Sequence, residues 1–555
     1  MTVANSEGRR SGSEANSPDA SLTATTMDFA LTLNHVLERA GTVHACSEIV
    51  TRLPDGGRFR YSYRDFHRRA LRLADALRRL GLKRGQRVGS LLWNHYAHLE
   101  AYFGVPASGG VLHTINLRLH PDEIAYTMKE ADDRILIVED TLLPMVEPIL
   151  GQFQNLRVFV FSLSGAPIAG YANYNELIDS GSAQLPMADV DERDPATLCF
   201  TGGTTGRPKG VVYSHRGLVL HAFAEAMVDG MGFGRRDTVM PLVPMFHVNG
   251  WGIPFSATMV GATQVYPGIR PGPQDVLELC QIEKVTWSAG VPTVWSDVFD
   301  EMKRQPGRWS IDGLTVMTGG SAPTETLIRN AQHNGVLMIQ GWGLTESSGI
   351  AAVSRPNRRL LTESPEEQVR FLAKQGVPLP IVHIRNVRDG RLLPWDGVSQ
   401  GEIQLRGNSV TARYLNRPDA GDRWTEDGFF RTGDIGTIDA EGYVKVLDRT
   451  EDLIKSGGEW ISPLDLESVL LEHPDVRECA LIAIPHERWG ERPLAVVVLH
   501  EGSTAKRDDL LALLGSRFAK WQVPDDLKFV AEIPKTSVGK VSRVTLRQQF
   551  RPGKE

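Results

Sequence analysis

Between Leu198 and His215 the chain reads LCFTGGTTGRPKGVVYSH, with four glycines, three threonines and a serine around a single lysine, Lys209, directly after an apolar run. Glycine loses more conformational freedom on folding than any other residue, so this much of it in one loop needs a reason. Consecutive small residues expose their backbone N–H groups as a nest for phosphate oxygens. The threonine hydroxyls add donors or a metal ligand, and Lys209 adds charge. The chemistry this suggests is the binding of a nucleoside polyphosphate. A Walker A loop, G-x-x-x-x-G-K-[ST], is excluded on spacing. Counted from Gly202 or Gly203 no GK pair arrives, and Lys209 is followed by Gly210.

Further motifs follow in order: PMFHVNGWG at Pro244–Gly252, GGSAP at Gly319–Pro323, GWGLTE at Gly341–Glu346, and RTGD at Arg431–Asp434. DRTEDLIKSGGEWIS spans Asp448–Ser462, and PKTSVGK spans Pro534–Lys540. One such motif is weak and the ordered set is specific. With TGGTTGRPKG it resembles the adenylate-forming enzymes: acyl-CoA synthetases, luciferases and peptide adenylation domains. PMFHVNGWG and IKSGGEWIS are most similar to the bacterial medium- and long-chain fatty acyl-CoA synthetases.

The resemblance implies a reaction. A carboxylate is a poor electrophile, so the family lets it attack the α-phosphorus of ATP, releasing pyrophosphate, and the thiol of CoA then attacks the acyl-AMP. Gathering these anions calls for donors, cations and a magnesium ion. By resemblance Thr201, Gly202, Gly203, Thr204, Thr205 and Gly206 wrap the β- and γ-phosphates, with Lys209 nearby, and Thr201 and Glu346 serve Mg2+ directly or through water. Thr345 donates to the α-phosphate, Trp342 between Gly341 and Gly343 stacks on adenine, and Gly320, Ser321, Ala322 and Pro323 line the other side of the base. Asp434 accepts from the ribose hydroxyls with Arg449 assisting.

Lys540, which in isolation would read as a solvated surface lysine, is implied to bridge carboxylate and phosphate during adenylation. The C-terminal domain then rotates about a hinge at Asp448. Lys540 leaves, and Lys455 through Trp460, both also expected on the nucleotide side, bring Gly457, Gly458 and Glu459 to the CoA tunnel. His247 is expected at the boundary of carboxylate and acyl tunnel, with Val248, Trp251 and Gly319 on the acyl side and Trp251 as gate. Amino-acid-activating relatives carry an aspartate near His247, and its absence disfavours an amino-acid substrate. Two departures stand out: Gly202 replaces a common serine, and Glu451 replaces a lysine frequent in the near subgroup, so no ligand role is carried onto it. Alternatives are a ligase for a shorter or substituted acid (a methylthio-alkanoate or arylalkanoate), a luciferase-like acyl-AMP oxygenase, or a binding protein on an inactive ligase fold.

The elements that must position these residues are legible in outline. Apolar residues Phe66, Ala70, Leu73, Ala74 and Leu77 mark one face of a helix ending near Gly81. RVGSLLW, HYAHLEAYFGV, VLHTIN, PDEIAYTMKEA and ILIVED then alternate strand and helix, the pattern of parallel sheets covered by helices. The arginines of the first helix read as a solvated face, and RPNRRLLTESPEEQVRFLAKQG as a surface excursion. The expected fold is α/β. A large N-terminal domain (28–447) with parallel-rich sheets and a β-rich subdomain follows a disordered tail (1–27) and precedes a small mobile α+β C-terminal domain (448–555).

At 555 residues the chain exceeds one compact core. Its net charge of −6 supplies no global attraction for nucleic acid. The four cysteines lie far apart with no CxxC pair, against a disulfide framework or zinc site. No apolar run approaches the ~18 residues of a membrane span, and the N-terminus lacks a signal-peptide apolar stretch. A cytoplasmic enzyme is expected, working on small molecules (fatty acid, ATP, CoA), with no integral membrane association and a homodimer as a family-level possibility.

Overall fold

The helix that opens the α/β alternation runs Tyr63–Arg79 and starts at a capping box, in which Ser62 accepts from the Asp65 N–H and the Asp65 carboxylate accepts from the Ser62 N–H. Its expected apolar face is the buried one: Phe66, Ala70, Leu73, Ala74 and Leu77 are at most 1% exposed. Burying a large side chain of this kind contributes roughly 1.5–3 kcal/mol, which holds the helix on the sheet. One arginine departs from the solvated-face expectation. Arg69 donates from Nε to the fully buried Glu100 at 2.6 Å, because Glu100 sits on the helix Tyr96–Ala107, which is enclosed along nearly its whole length.

The computed structural model describes residues 25–201, 207–450, 452–456, 459–536 and 540–550. The unit Met1–Ala30 has no helix or strand among its described residues, and the chain from Leu31 onward forms a second unit. Within that second unit a seven-stranded sheet places Arg87–Leu91 between Val111–Thr114 and Asp133–Glu139, all parallel. Val111–Thr114 pairs in parallel with Pro195–Phe200, which turns back antiparallel into Gly210–Ser214. The glycine loop therefore joins two strands at the edge of this sheet, and the Thr201 N–H closes its base on the Lys209 carbonyl at 2.9 Å.

A nine-stranded sheet runs Thr238–Pro241, Trp287–Gly290, Thr315–Thr318 and Leu337–Trp342 as parallel neighbours. Helices cover it, so these strands are buried along nearly their whole length. Next in the chain a five-stranded antiparallel sheet carries Gly401–Gly407, Phe430–Ile438 and Val444–Arg449. Beyond Arg449 a separate sheet (Ile454–Ser456, Glu459–Ile461, Val476–His486, Gly490–Leu499, Asp526–Phe529) packs with helices Pro463–Leu470, Arg507–Gly515 and Arg543–Gln549 around its own apolar cores.

The stretch read as a surface excursion is more structured than expected. Ser364 caps a helix Pro365–Leu372, and Val369 and Leu372 join the main core, an apolar pair the surrounding charges conceal. Among the described residues no helix is long and apolar enough to cross a membrane.

Candidate active site

Four parallel strands of the nine-stranded sheet end on one cleft of about 400 Å³. The loops after Thr318, Trp342 and Pro241 supply Gly320–Ala322, Gly343–Glu346 and His247–Trp251. Ligands of open α/β sheets bind at such carboxyl ends, where strands point the backbone of successive loops at one space. Thr201 and Lys209 reach the cleft from the seven-stranded sheet, Asp434 and Arg449 from the antiparallel sheet, and Lys540 from the C-terminal unit.

At the cationic end the Thr201 hydroxyl accepts from the Lys209 N–H at 3.0 Å, and the Lys209 ammonium lies 5.1 Å from the Tyr414 ring centroid. The Tyr414 hydroxyl donates to the buried carboxylate of Glu346 at 2.5 Å, and this anion together with burial pushes the phenol well above its ordinary range. The Glu346 backbone is also held, its carbonyl accepting from Thr411 at 2.7 Å, while the Thr345 carbonyl accepts from Tyr213 at 2.6 Å. Among the described residues no group of three or more His, Cys, Asp or Glu could hold a metal by itself. One carboxylate and one hydroxyl facing the same cleft fit magnesium, a hard ion that keeps several waters and takes its remaining oxygens from substrate phosphates.

At the other end the Trp342 indole N–H donates to Asp434 Oδ2 at 3.0 Å, and Arg449 Nε lies 3.4 Å from Oδ1. The indole edge and the carboxylate are thus fixed together, and both residues line the cleft. Of the neighbouring glycines, Gly343 is a steric necessity and Gly341 is closely packed by side-chain ends. A Cβ on Gly343 would lie 1.7 Å from the Gly349 carbonyl, and one on Gly341 2.9 Å from Met317 and Ile350.

Lys540 passes Gly320, its Cε 3.5 Å from where a Cβ there would stand. Its backbone is tied in a tight loop, Thr536 N–H to Lys540 carbonyl at 2.6 Å and Lys540 N–H to Thr536 hydroxyl at 3.2 Å. Burial and the Arg449 cation bring its ammonium down to about 8, partly offset by Asp434 and Glu346. Asp448 lines the same cleft, buried, with its carboxyl pushed up to about 7 by burial. Arg543, whose guanidinium donates to Glu467 at 2.7 Å, stands 3.6 Å from Asp448. This cluster joins the last strand before the C-terminal unit to that unit's helices.

On the apolar side Val248, Asn249, Gly250, Trp251 and Gly252 have φ of +40°, +38°, +63°, +50° and +76°, one turn of left-handed helix. Such a conformation costs about 1–2 kcal/mol for each non-glycine residue. Asn249 compensates: its buried side chain accepts from Thr197 at 2.7 Å and donates to Thr114 at 3.1 Å, pinning the turn to two strands of the seven-stranded sheet. The turn lays the Trp251 indole on Gly319, where a Cβ would meet it at 2.7 Å. Beside it His247 is kept neutral, down to about 3, by burial first and then by Lys540 and Arg118.

The cleft thus gathers Thr201, Lys209, His247, Val248, Trp251, and Gly320 through Ala322. It also gathers Gly341 through Gly343, Thr345, Glu346, Asp434, Asp448, Arg449 and Lys540. Gly319 and Pro323 are not on its surface, and Gly319 acts through the indole it supports. Lys455 and Trp460, expected on the nucleotide side, are not among the lining residues. They are cross-strand partners in the C-terminal sheet, with the Lys455 ammonium 5.6 Å from the Trp460 ring centroid. Gly202, Gly203, Thr204, Thr205, Gly206, Glu451, Gly457, Gly458 and the side chain of Glu459 lie outside the described residues. Sequence reasoning missed Tyr414, Tyr213, Asn249 and Arg543. Asn249 stood inside a quoted motif, next to a glycine and tolerant of left-handed φ, a usable signal; Tyr213 stood in the quoted glycine-loop stretch with nothing to mark its contact, and Tyr414 and Arg543 belong to no motif.

The profile of the AMP-binding enzyme family matches residues 37–415, and that of the AMP-binding enzyme C-terminal domain matches residues 465–540. The long-chain-fatty-acid–CoA ligase of Thermus thermophilus is 46% identical, over 95% of this chain and 97% of its own length. The 3-methylmercaptopropionyl-CoA ligase of Ruegeria pomeroyi is 38% identical, over 94% and 97%. Among solved structures, the anthranilate CoA ligase AuaEII in complex with anthranoyl-AMP is similar with a TM-score of 0.84 and 27% identity, over 95% of this chain and 99% of that one.

Proposed function

The chain belongs to the AMP-binding enzyme family, whose relatives here are acid–CoA ligases, and we propose that it joins a medium- or long-chain fatty acid to CoA through an acyl-AMP. The observation that carries this reading is the delivery of Lys540 into the cleft that also holds Glu346, Thr201 and the Trp342–Asp434 pair. A cation stands where a carboxylate and an α-phosphate, both anionic, would have to approach each other. Next to it the wall turns apolar through Val248, Trp251 and Ile350, as an alkyl chain requires.

In this reading Trp342 offers its face to adenine and Asp434 its free lone pairs to the ribose. Thr201, the glycine loop and Lys209 hold phosphates, and Thr345 orients the α-phosphate. Glu346 and Thr201 hold Mg2+, which when bound neutralises phosphate charge. Neutral His247 borders the carboxylate, and Trp251 gates the acyl channel. Asp448 is the hinge about which the C-terminal domain (448–555) turns so that Gly457, Gly458 and Glu459 can shape the CoA path. Four free cysteines, three of them buried, support a reducing, cytoplasmic setting. A homodimer belongs to the proposal on the family's pattern alone.

A second reading, a shorter or substituted acid, is favoured by the seating of Trp251 between Gly319 and Gly349, which closes the wall. AMP and pyrophosphate release with CoA, measured across acids of graded length, tests both. Acid-dependent AMP formation without CoA consumption, or none with any acid, would refute the ligase assignment.

A further inference from the structure

Behind the wall formed by Trp251 and Ile350 lie three buried polar groups that the proposed reaction does not use: His221, Glu225 and Ser256. His221 and Glu225 are one turn apart on the helix His215–Ala226, and Ser256 is on the helix Ile253–Val260 packed against it. The surroundings are apolar: Ala224, Val248, Trp251, Ile253 and Ala257. A Cβ on Gly252 would meet the two Glu225 oxygens at 2.4 and 2.5 Å, so the carboxyl sits directly on the backbone of the left-handed turn. His221 Nε2 lies 2.8 Å from the carbonyl of Ile350, a residue that lines the cleft. A single residue layer thus separates the trio from the cleft.

The protonation follows from the contacts. A carbonyl only accepts, so His221 Nε2 carries the imidazole proton and Nδ1 presents a lone pair. Nδ1 stands 3.4 Å from Glu225 Oε1, and with the imidazole neutral, as its burial favours, this juxtaposition is attractive when Oε1 holds a proton. Burial acts in the same direction, pushing the Glu225 carboxyl well up and His221 down to about 4. Oε2 is then a carbonyl-type acceptor. By distance and angle neither Glu225 oxygen accepts a hydrogen bond from a described residue, although the nearby Ser256 hydroxyl, which can rotate, works against the rise of the carboxyl. The Ser256 hydroxyl beside it is directed at the carbonyls of Gly252 and Ile253, at 3.2 and 3.3 Å. A buried acceptor whose nearest donor is a hydroxyl already directed at two backbone carbonyls carries a penalty that an apolar side chain would avoid, which asks for a partner.

We propose that Glu225, oriented by His221, is a specificity residue: once the Trp251 indole turns aside, its free oxygen accepts a hydrogen bond from a hydroxyl group carried on the acyl chain. Among acids of one length the enzyme then favours the one whose hydroxyl reaches Glu225. This rests on the acyl-CoA ligase reading. A site built to bond a hydroxyl discriminates against an analogue lacking it far more strongly than a merely apolar wall distinguishes the two.

The test is kcat/KM for acid-dependent pyrophosphate release with CoA. It compares saturated acids with their monohydroxylated counterparts, the hydroxyl walked from the β-carbon to the chain end, in wild type, Glu225→Leu, Glu225→Gln and His221→Phe. At one hydroxyl position the hydroxy-to-plain ratio in wild type should exceed that in Glu225→Leu by about 10- to 100-fold. Plain acids should be processed at least as well by the leucine variant. Glu225→Gln, whose amide carbonyl still accepts, should retain most of the preference. A ratio equal in wild type and Glu225→Leu at every position overturns the proposal. If thermal melting shows Glu225→Leu unfolded, Glu225→Ala and His221→Phe carry the same comparison. Failure of plain acids in wild type would refute the ligase reading instead, and is visible in a separate arm.

Discussion

In the free enzyme the Lys540 ammonium is confined in the cleft beside the Arg449 cation, and burial brings its pKa from 10.5 to about 8. A lysine of that pKa is half protonated at pH 8 and about one-tenth protonated at pH 9. If the ammonium is the group that lets carboxylate and α-phosphate meet, kcat/KM for adenylation, which reports the free enzyme, should fall about tenfold per pH unit above 8. The saturated rate should hold to higher pH, because bound phosphates favour the charged form. The assay is acid-dependent pyrophosphate release without CoA, from pH 6.5 to pH 10, on wild type, Lys540→Ala and Lys540→Arg. The alanine variant should be ~10²–10³ slower and lose the basic limb, having nothing left to deprotonate. Arginine keeps a charge throughout the range, so its profile should be flat at high pH even where its rate is reduced. Acyl-AMP supplied with CoA should still be converted by the alanine variant, since the proposed rotation removes Lys540 from that step. A wild-type profile flat to pH 10, or a basic limb that survives in Lys540→Ala, would show that Lys540 is not the titrating group and refute this reasoning.

Glu346→Gln should fold normally, by an unchanged thermal transition, yet lose magnesium-dependent pyrophosphate release; normal release would remove Glu346 from the metal's ligands. Trp251→Ala should shift the acid chain-length profile while leaving the ATP dependence in place, with pocket discrimination of ~1–3 kcal/mol per methylene. An unchanged profile would refute the gate. Asn249→Ala removes two buried hydrogen bonds under a strained turn, at an expected ~1–3 kcal/mol in denaturant unfolding. Asn249→Asp, able to replace only one of them, should fall between, and equal stability of all three would contradict the pinning role. Asp448, at 3.8 when unperturbed and about 7 here, binds a proton in this arrangement over a range where a free aspartate does not. The stabilisation is present below about pH 4 and lost as pH rises through about 7. Protease cleavage of the C-terminal unit should therefore quicken from about pH 4 to about pH 7 in wild type and level off above that, and show no such rise in Asp448→Asn.

What was legible in the sequence was what local chemistry demands. The apolar face of Tyr63–Arg79 follows from helical periodicity, and the strand–helix alternation before Glu139 from period and punctuation. The residues that line the cleft were legible through motifs whose spacing is partly a backbone requirement, as Gly343 illustrates: the Gly349 backbone leaves no room for a side chain. Lys540 was legible only through the resemblance, since nothing in PKTSVGK distinguishes it from a solvated lysine. Tyr414 and Tyr213 were invisible, because their meaning is a contact with Glu346 and Thr345 across segments far apart in the chain. Lys455 and Trp460 show what a motif does not tell: it names residues, and in this arrangement their cross-strand pairing directs them at each other.

Acyl specificity was the least legible property, and the left-handed turn shows why. Val248 is β-branched, and a sequence rule would deny it positive φ; it adopts +40° only because Asn249 is fastened to Thr197 and Thr114 on strands well upstream. The direction of Trp251, and with it the depth of the proposed acyl channel, is thus set by bonds between elements rather than by anything local. Glu225 belongs to the same class. It is the sole acid of its helix, nothing local marks it, and the close approach of Gly252 to its carboxyl appears only in the fold. Strain and an unpaired carboxyl, set against each other beneath one indole, mark this turn as the place where the enzyme departs from pure packing. Departures of that kind are kept where function requires them. The chemistry of activation can be expected to follow the motifs, and the choice of acid to follow this turn.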